Sequence, residues 1–180
     1  MRLGNTAERY GLISLLLHWT VALSTIGLFA LGLWMVGLGY YDPWYYKGPW
    51  WHKGIGAVVF ALVFIRWLVL LLSPVKALTE MPRWQHLIAR LVHQSMNLLI
   101  LFLGLSGYLI VTAQGQALVI FDQFRLPSIM NLPPDSADFI GQLHLWAAWL
   151  LIGLASVHAL AALKHHFINK DATLKRMLPF

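Results

Sequence analysis

Three observations in the amino-acid sequence predict an all-α fold, an integral membrane, antiparallel four-helix bundle. Four apolar runs, nearly free of charge, are each long enough to cross a hydrocarbon core of ~30 Å, which takes about 20 helical residues. Apolar residues make up 59% of the 180-residue chain and charged residues only 11%, outside the range of soluble domains. Lysine and arginine are unevenly shared: nine lie in the two termini and the 76–90 connection, against three in the other two connections. That asymmetry orients the bundle, because cytoplasmic segments collect Lys and Arg.

The first span, about residues 11–38, follows a short polar lead with Arg2, Glu8 and Arg9, and no charged residue occurs from Tyr10 to Tyr41. A secretory leader is the competing reading of a basic start before an apolar stretch. The run is too long for one, and no clean small-residue cleavage site follows. Residues 40–51, YYDPWYYKGPWW, are broken by Pro43, Gly48 and Pro49 and carry seven Tyr or Trp rings. Such rings favour the headgroup level, which predicts a short interfacial loop. The second span, 51–72, has Arg66 as its only deep charge, and Ser73-Pro74 ends it. A polar connection with Lys76, Glu80, Arg83 and Arg90 leads to the third span, 90–113. Residues 114–138 are mixed, with Pro127, Pro133 and Pro134, and their apolar fragment ALVIF is too short to cross, so they read as a longer surface loop. The fourth span, 140–166, runs into a basic tail. Residues 1–180 thus read as one domain with both termini cytoplasmic. The aromatic loop and the 114–138 loop then face the opposite side, which in a bacterium is the periplasm.

The absence of cysteine excludes disulfides, thiolate-held zinc, iron–sulfur clusters and covalently attached c-type haem. The net charge of +6 does not call for a nucleic-acid partner, since membrane topology accounts for it. Histidine carries the chemistry. His144 and His158 lie fourteen residues apart in the fourth span. On a helix that separation returns to within about 40° of the starting direction and covers roughly 21 Å. One helix face therefore presents an imidazole near each side of the bilayer. Topology sets His18 at the depth of His158, on the inner side, and His52 at the depth of His144, on the outer side.

Two facing imidazoles at each of two depths suit axial coordination of haem iron, with a flat macrocycle between helices. The competing reading is a set of polar residues hydrogen-bonded across helices. Four histidines at matched depths argue against it, and ionisable groups inside spans are costly unless they serve a function. Arg66, fourteen residues after His52, shares its face and reaches the inner level, where it would pair with a haem propionate or else snorkel to headgroups. Lys53 would serve the outer propionates or solvate the surface. His93 has a depth similar to His18 and is its rival as ligand. His18 is preferred, because His93 with Asn97 one turn on resembles a hydrogen-bonding pair. Lys164 and His165 read as a solvated basic helix end or, with His93, as donors to a quinone carbonyl near the inner haem. Gly56 and Ala162, each four residues after a proposed ligand, would leave room for a porphyrin face.

The segments ERYGLISLLLHW, WHKGIGAVVFALVFIRW and GQLHLWAAWLLIGLASVHALAALKHHFINKDATLKRM together resemble the bacterial cytochrome b561 family. The resemblance covers nearly the whole chain, is specific at the ends and in the second span, and is loose in the 114–138 loop. It implies a four-helix membrane cytochrome of the inner membrane, with two haem b groups on His18, His52, His144 and His158. It further implies single-electron transfer between a periplasmic donor and the quinone pool, ubiquinone being the candidate, with superoxide a donor for some members. The outer loops here hold Lys47, Lys53 and Arg125 against four Asp, so no strongly cationic funnel for superoxide is evident. Two rivals stay open. One is a haem-containing membrane-anchor subunit that exchanges electrons with a larger partner protein through the 114–138 loop. The other is a haem-free bundle whose histidines bind zinc or move protons.

Overall fold

Inside hydrocarbon no water is available to a free N–H or C=O, so an apolar chain crosses only with its backbone bonds satisfied internally. The computed structural model, which describes residues 2–7, 9–76 and 82–178, meets this with four long helices. They are α1 (Leu12–Met35), α2 (Lys47–Leu72), α3 (Arg83–Thr112) and α4 (Ser136–Lys164). All four are long and apolar enough to span a membrane. Glu8 and Glu80, two of the polar residues flanking the predicted spans, lie outside the described residues.

Helix boundaries depart from the sequence expectation where local chemistry overrides hydropathy. α2 starts at Lys47 rather than 51, because Pro49 falls in the first turn, where a missing N–H costs nothing. Part of the predicted interfacial loop is therefore helix. α3 starts at Arg83, directly after Pro82, so the second half of the predicted polar connection is also helical. Trp84, Leu87, Ile88 and Leu91 explain this: they form an apolar stripe at helical spacing and all are exposed, as a lipid-facing stripe would be. α1 stops at Met35, ahead of Gly37 and Gly39.

α1 packs along α2 and α3 along α4; α2 meets α3, and α1 touches α4 lightly. The buried core is small. Val21, Val59 and Val63 form its centre, flanked by Leu28, Ile55, Leu62, Trp67, Ile100 and Leu101. Large apolar side chains such as Leu23, Leu98 and Leu160 point outward, the pattern of helices that are apolar all round and sit in lipid. α2 and α3 approach through Gly104: a Cβ there would lie 2.1 Å from the Phe60 ring.

The 114–138 segment is more ordered than a surface loop. Its apolar fragment forms β1 (Leu118–Ile120), which pairs antiparallel with β2 (Phe124–Leu126). Phe121 and Asp122 at the turn have φ of 47° and 59°, the left-handed backbone that a tight hairpin turn requires. The Phe121 ring lies on Gly54 of α2, where a Cβ would come within 2.4 Å. It also packs edgewise on Trp50 and Trp51. The Trp50 indole N–H donates to Asp122 at 2.9 Å. The hairpin is thus clamped to the aromatic end of the bundle.

The opposite, basic end is laced together by both termini. Asn5 accepts a hydrogen bond from the Gly11 N–H and donates to the Ser73 carbonyl, joining the starts and ends of α1 and α2. The carbonyls of Arg2 and Leu3 take the free N–H groups of Leu12 and Ile13 at the start of α1. After α4 a π-helical turn, His165–Asn169, and a short 3₁₀ turn, Lys175–Met177, fold the tail back. There the Met177 carbonyl accepts from the Trp19 indole and the Lys76 carbonyl accepts from Arg176. Asp171 anchors the turn through the Thr173 N–H at 2.8 Å and His165 at 2.5 Å. Burial pulls the Asp171 carboxyl up, but the bonds from Thr173 and His165 outweigh it and hold the group below its usual 3.8.

Gly104→Ala is expected to destabilise the detergent-solubilised protein by about 1–3 kcal/mol through overpacking. Gly27→Ala, where a Cβ meets nothing within 4 Å, should keep or raise the thermal midpoint, since alanine is the better helix former. A carboxyl with a lowered folded pKa contributes stability above its unfolded value and loses it as pH falls through the folded one. The Thr173 amide should therefore stay protected from hydrogen exchange above pH 3.8 and lose protection only in stronger acid.

Candidate functional site

At the aromatic end, His52 in the second turn of α2 and His144 on α4 face each other, with ring centres 6.2 Å apart and planes turned by 62°. The His52 Nδ1 side is turned to α1, where a Cβ on Gly32 would lie 3.2 Å from Cε1 and 3.7 Å from Nδ1. That Nδ1 is buried without a hydrogen-bond partner, although the Leu28 carbonyl of α1 is nearby. The His144 Nδ1 is instead 2.9 Å from the Ser106 hydroxyl on α3. Each ring thus turns Nδ1 to a neighbouring helix, which leaves Nε2 as the nitrogen available to a metal. An imidazole nitrogen sits ~2 Å from a bound transition metal and ~1.1 Å from its own ring centre, so two imidazoles on opposite sides of one metal hold their centres roughly 6 Å apart. The spacing of His52 and His144 fits a six-coordinate haem iron.

At the basic end each helix supplies one group: His18 from α1, Arg66 from α2, His93 from α3 and His158 from α4. Arg66, His158 and His93 are the charged or chargeable neighbours of His18. The rings of His93 and His158 lie 4.9 Å apart at 70°, closer than two ligands on opposite sides of a metal. Arg66 donates to the Asn97 side chain at 3.4 Å. Asn97 is therefore the partner of Arg66, and the hydrogen-bonding pair expected from the His93–Asn97 spacing is absent. Among the described residues the one ion pair joins His165 and Asp171, so no described carboxylate pairs with Arg66. This fits a haem propionate: a half-buried guanidinium, held by a neutral amide, keeps donors for an external carboxylate.

The remaining predicted residues fall into place as follows. Lys53 is half-buried beside His52 and makes no side-chain hydrogen bond among the described residues. Lys164 is exposed at the last turn of α4. His165 spends Nδ1 on Asp171, leaving only Nε2. A Cβ on Gly56 would meet nothing within 4 Å. Among the described residues no three His, Cys, Asp or Glu side chains converge as a protein-only metal site would need.

Three contributors escaped the sequence reading. Gly32 lets α1 pass against His52, Ser106 bonds His144, and the Phe121–Asp122 turn covers the α2 start beside His52. A lone glycine or serine in an apolar span signals packing as readily as a site. The hairpin requires knowing that a five-residue apolar fragment folds onto another helix.

The chain matches the sequence profile of the family described as prokaryotic cytochrome b561 over residues 9–180. It is similar to cytochrome b561 homolog 2 of Escherichia coli (strain K12), 46% identical over 179 residues that cover 99% of this chain and 95% of that one. Similarity extends to the probable superoxide oxidase CybB of Yersinia pestis, 28% identical over 176 residues, 96% of this chain and 97% of the relative. Cytochrome b561 homolog 1 of Escherichia coli (strain K12) is 31% identical over 131 residues, 71% of this chain and 73% of the relative.

Replacing Gly32 by Val places branched carbons into the His52 ring, which a Cβ alone already approaches to 3.2 Å. The variant is expected to purify with less haem than the parent. Gly107→Ala, whose Cβ would sit at an ordinary 3.6 Å from His144, should keep full haem content by pyridine haemochrome assay.

Proposed function

Since this chain belongs to the prokaryotic cytochrome b561 family, and is thus a haem b membrane protein of electron transfer, we propose that it carries single electrons between two haem b groups at opposite faces of the bacterial inner membrane. His52 and His144 hold one near the periplasmic face, and His18 and His158 hold the other near the cytoplasmic face. Both termini are cytoplasmic, a reading supported by nine Lys and Arg on the basic side against three on the aromatic side. The observation that carries the proposal is the 6.2 Å separation of His52 and His144 with both Nδ1 sides turned away.

Haem held by these histidines would supply one-electron iron chemistry. The chain's own residues then do the positioning. Arg66, steadied by Asn97, binds a propionate of the cytoplasmic-side haem, and Lys53 serves the periplasmic-side one. His93, too close to His158 to stand opposite it on one iron, holds and delivers a proton at a quinone carbonyl. Lys164 supports the same carbonyl, as does the Nε2 of His165, whose Nδ1 is already bound. Ubiquinone is the acceptor proposed at this end. On the periplasmic side the donor is a small reductant or a partner protein. Superoxide is the candidate suggested by the name of the Yersinia relative, against the weak positive charge of the outer loops.

A second reading, a membrane-anchor subunit that passes electrons to or from a larger partner protein, draws on one observation. Phe124, Ile129 and Met130 are exposed on and beside the hairpin at the aromatic end. Isolation of the protein only in a stable hetero-complex, with no quinone activity of its own, would favour it.

His93→Ala separates ligand from proton donor. It is expected to retain two haems per chain and lose quinone reduction by about 100-fold or more, the scale of general acid catalysis. His18→Ala and His158→Ala should each lose the cytoplasmic-side haem. Loss of a haem in His93→Ala with both kept in His18→Ala would reverse the ligand assignment, and full quinone reduction by His18→Ala or His158→Ala would sink the quinone site.

A further inference from the structure

Of the two imidazoles at the aromatic end, His144 alone has a side-chain hydrogen-bond partner among the described residues. Ser106 of α3 is 2% exposed, and its hydroxyl oxygen lies 2.9 Å from the His144 Nδ1 and 3.2 Å from the Leu103 carbonyl one turn back. Gly107, the next residue, lets the His144 ring pass at contact distance. Across from it the His52 Nδ1 is buried with no hydrogen-bond partner.

A serine hydroxyl has one proton to donate, and neutral imidazole has one N–H. When the Ser106 proton goes to the Leu103 carbonyl, the oxygen facing His144 is an acceptor, and Nδ1 must carry the imidazole proton. The other nitrogen, Nε2, is then bare and able to bind a metal. We propose that Ser106 is a positioning residue that fixes this tautomer of His144 and tunes the periplasmic-side haem through it. The inference rests on the proposed role of His144 as a ligand. A hydrogen bond accepted from the non-ligating nitrogen raises the basicity of the ligating one. A more basic ligand favours the oxidised metal, so Ser106 holds the reduction potential of this haem down.

The test is a spectropotentiometric titration of the purified, haem-loaded full chain. Ser106→Ala is expected to keep two haems and to favour reduction of the periplasmic-side haem by between about two- and tenfold, the worth of one hydrogen bond, a rise of up to ~59 mV for one electron. The other haem should not move, and Ser106→Thr, which retains the hydroxyl, should restore the parent value. The couple missing from His144→Ala identifies the periplasmic-side haem; if that variant kept both haems, the ligand assignment would fail, independently of Ser106. Unchanged midpoints in Ser106→Ala, a downward shift, or an equal shift in both haems would overturn the proposal. Should Ser106→Ala not assemble, Ser106→Cys decides: its weakly accepting thiol should raise the same midpoint, and a parent-like value would contradict the role of the hydroxyl.

Discussion

The structure depends on how an apolar bundle accommodates imidazole. A polar ring inside hydrocarbon is costly unless its nitrogens are matched, and here each histidine at the aromatic end is placed so that one nitrogen faces a neighbouring helix. His52 turns Nδ1 to Gly32 and Leu28 of α1, and His144 turns it to Ser106 of α3. All four helices therefore take part in a site whose histidines come from two. At the basic end the arrangement is shared more openly, one group per helix, with Arg66 tied to Asn97. The core that joins the two ends is thin, three valines with a partial shell. Fixed helix spacing around the sites must then come from close contacts such as Phe60 on Gly104 and Phe121 on Gly54.

The ends of the bundle explain how those helices keep register. At the basic end the lead and the tail both fold back, with Asn5, Trp19 and Arg176 each bridging segments distant in sequence and Asp171 closing the tail's own turn. At the aromatic end the hairpin turn holds two residues at positive φ. Asp tolerates that backbone readily, whereas Phe121 does so at a cost of order 1–3 kcal/mol. The packing of its ring on Trp50, Trp51 and Gly54 offsets this cost, which places the strain beside His52.

Much of this was legible in the sequence for simple reasons. Charge-free runs reveal helices because the bilayer forbids alternatives, and a fourteen-residue spacing puts His144 and His158 on one face whatever surrounds them. Depth follows from span order, so His52 and His144 could be brought together before any contact was known. What escaped depended on contacts between segments. Arg83–Arg90 read as polar although the stripe of Trp84, Leu87, Ile88 and Leu91 makes it helical. Asn97 was assigned by spacing to His93, whereas its partner Arg66 lies on another helix. Ser106 carries no pattern of its own, since a hydroxyl in a span returns its proton to its own helix as often as it serves a neighbour.

The central claim, two haem b groups held by four histidines at two depths, is tested most directly by a reduced-minus-oxidised visible spectrum of the purified protein with haem quantified per chain. The account predicts two b-type haems per chain with sharp low-spin bands. A single haem would remove one of the two proposed sites, and a colourless protein expressed with ample haem would contradict the account altogether, leaving the histidines as packing or proton-transfer groups.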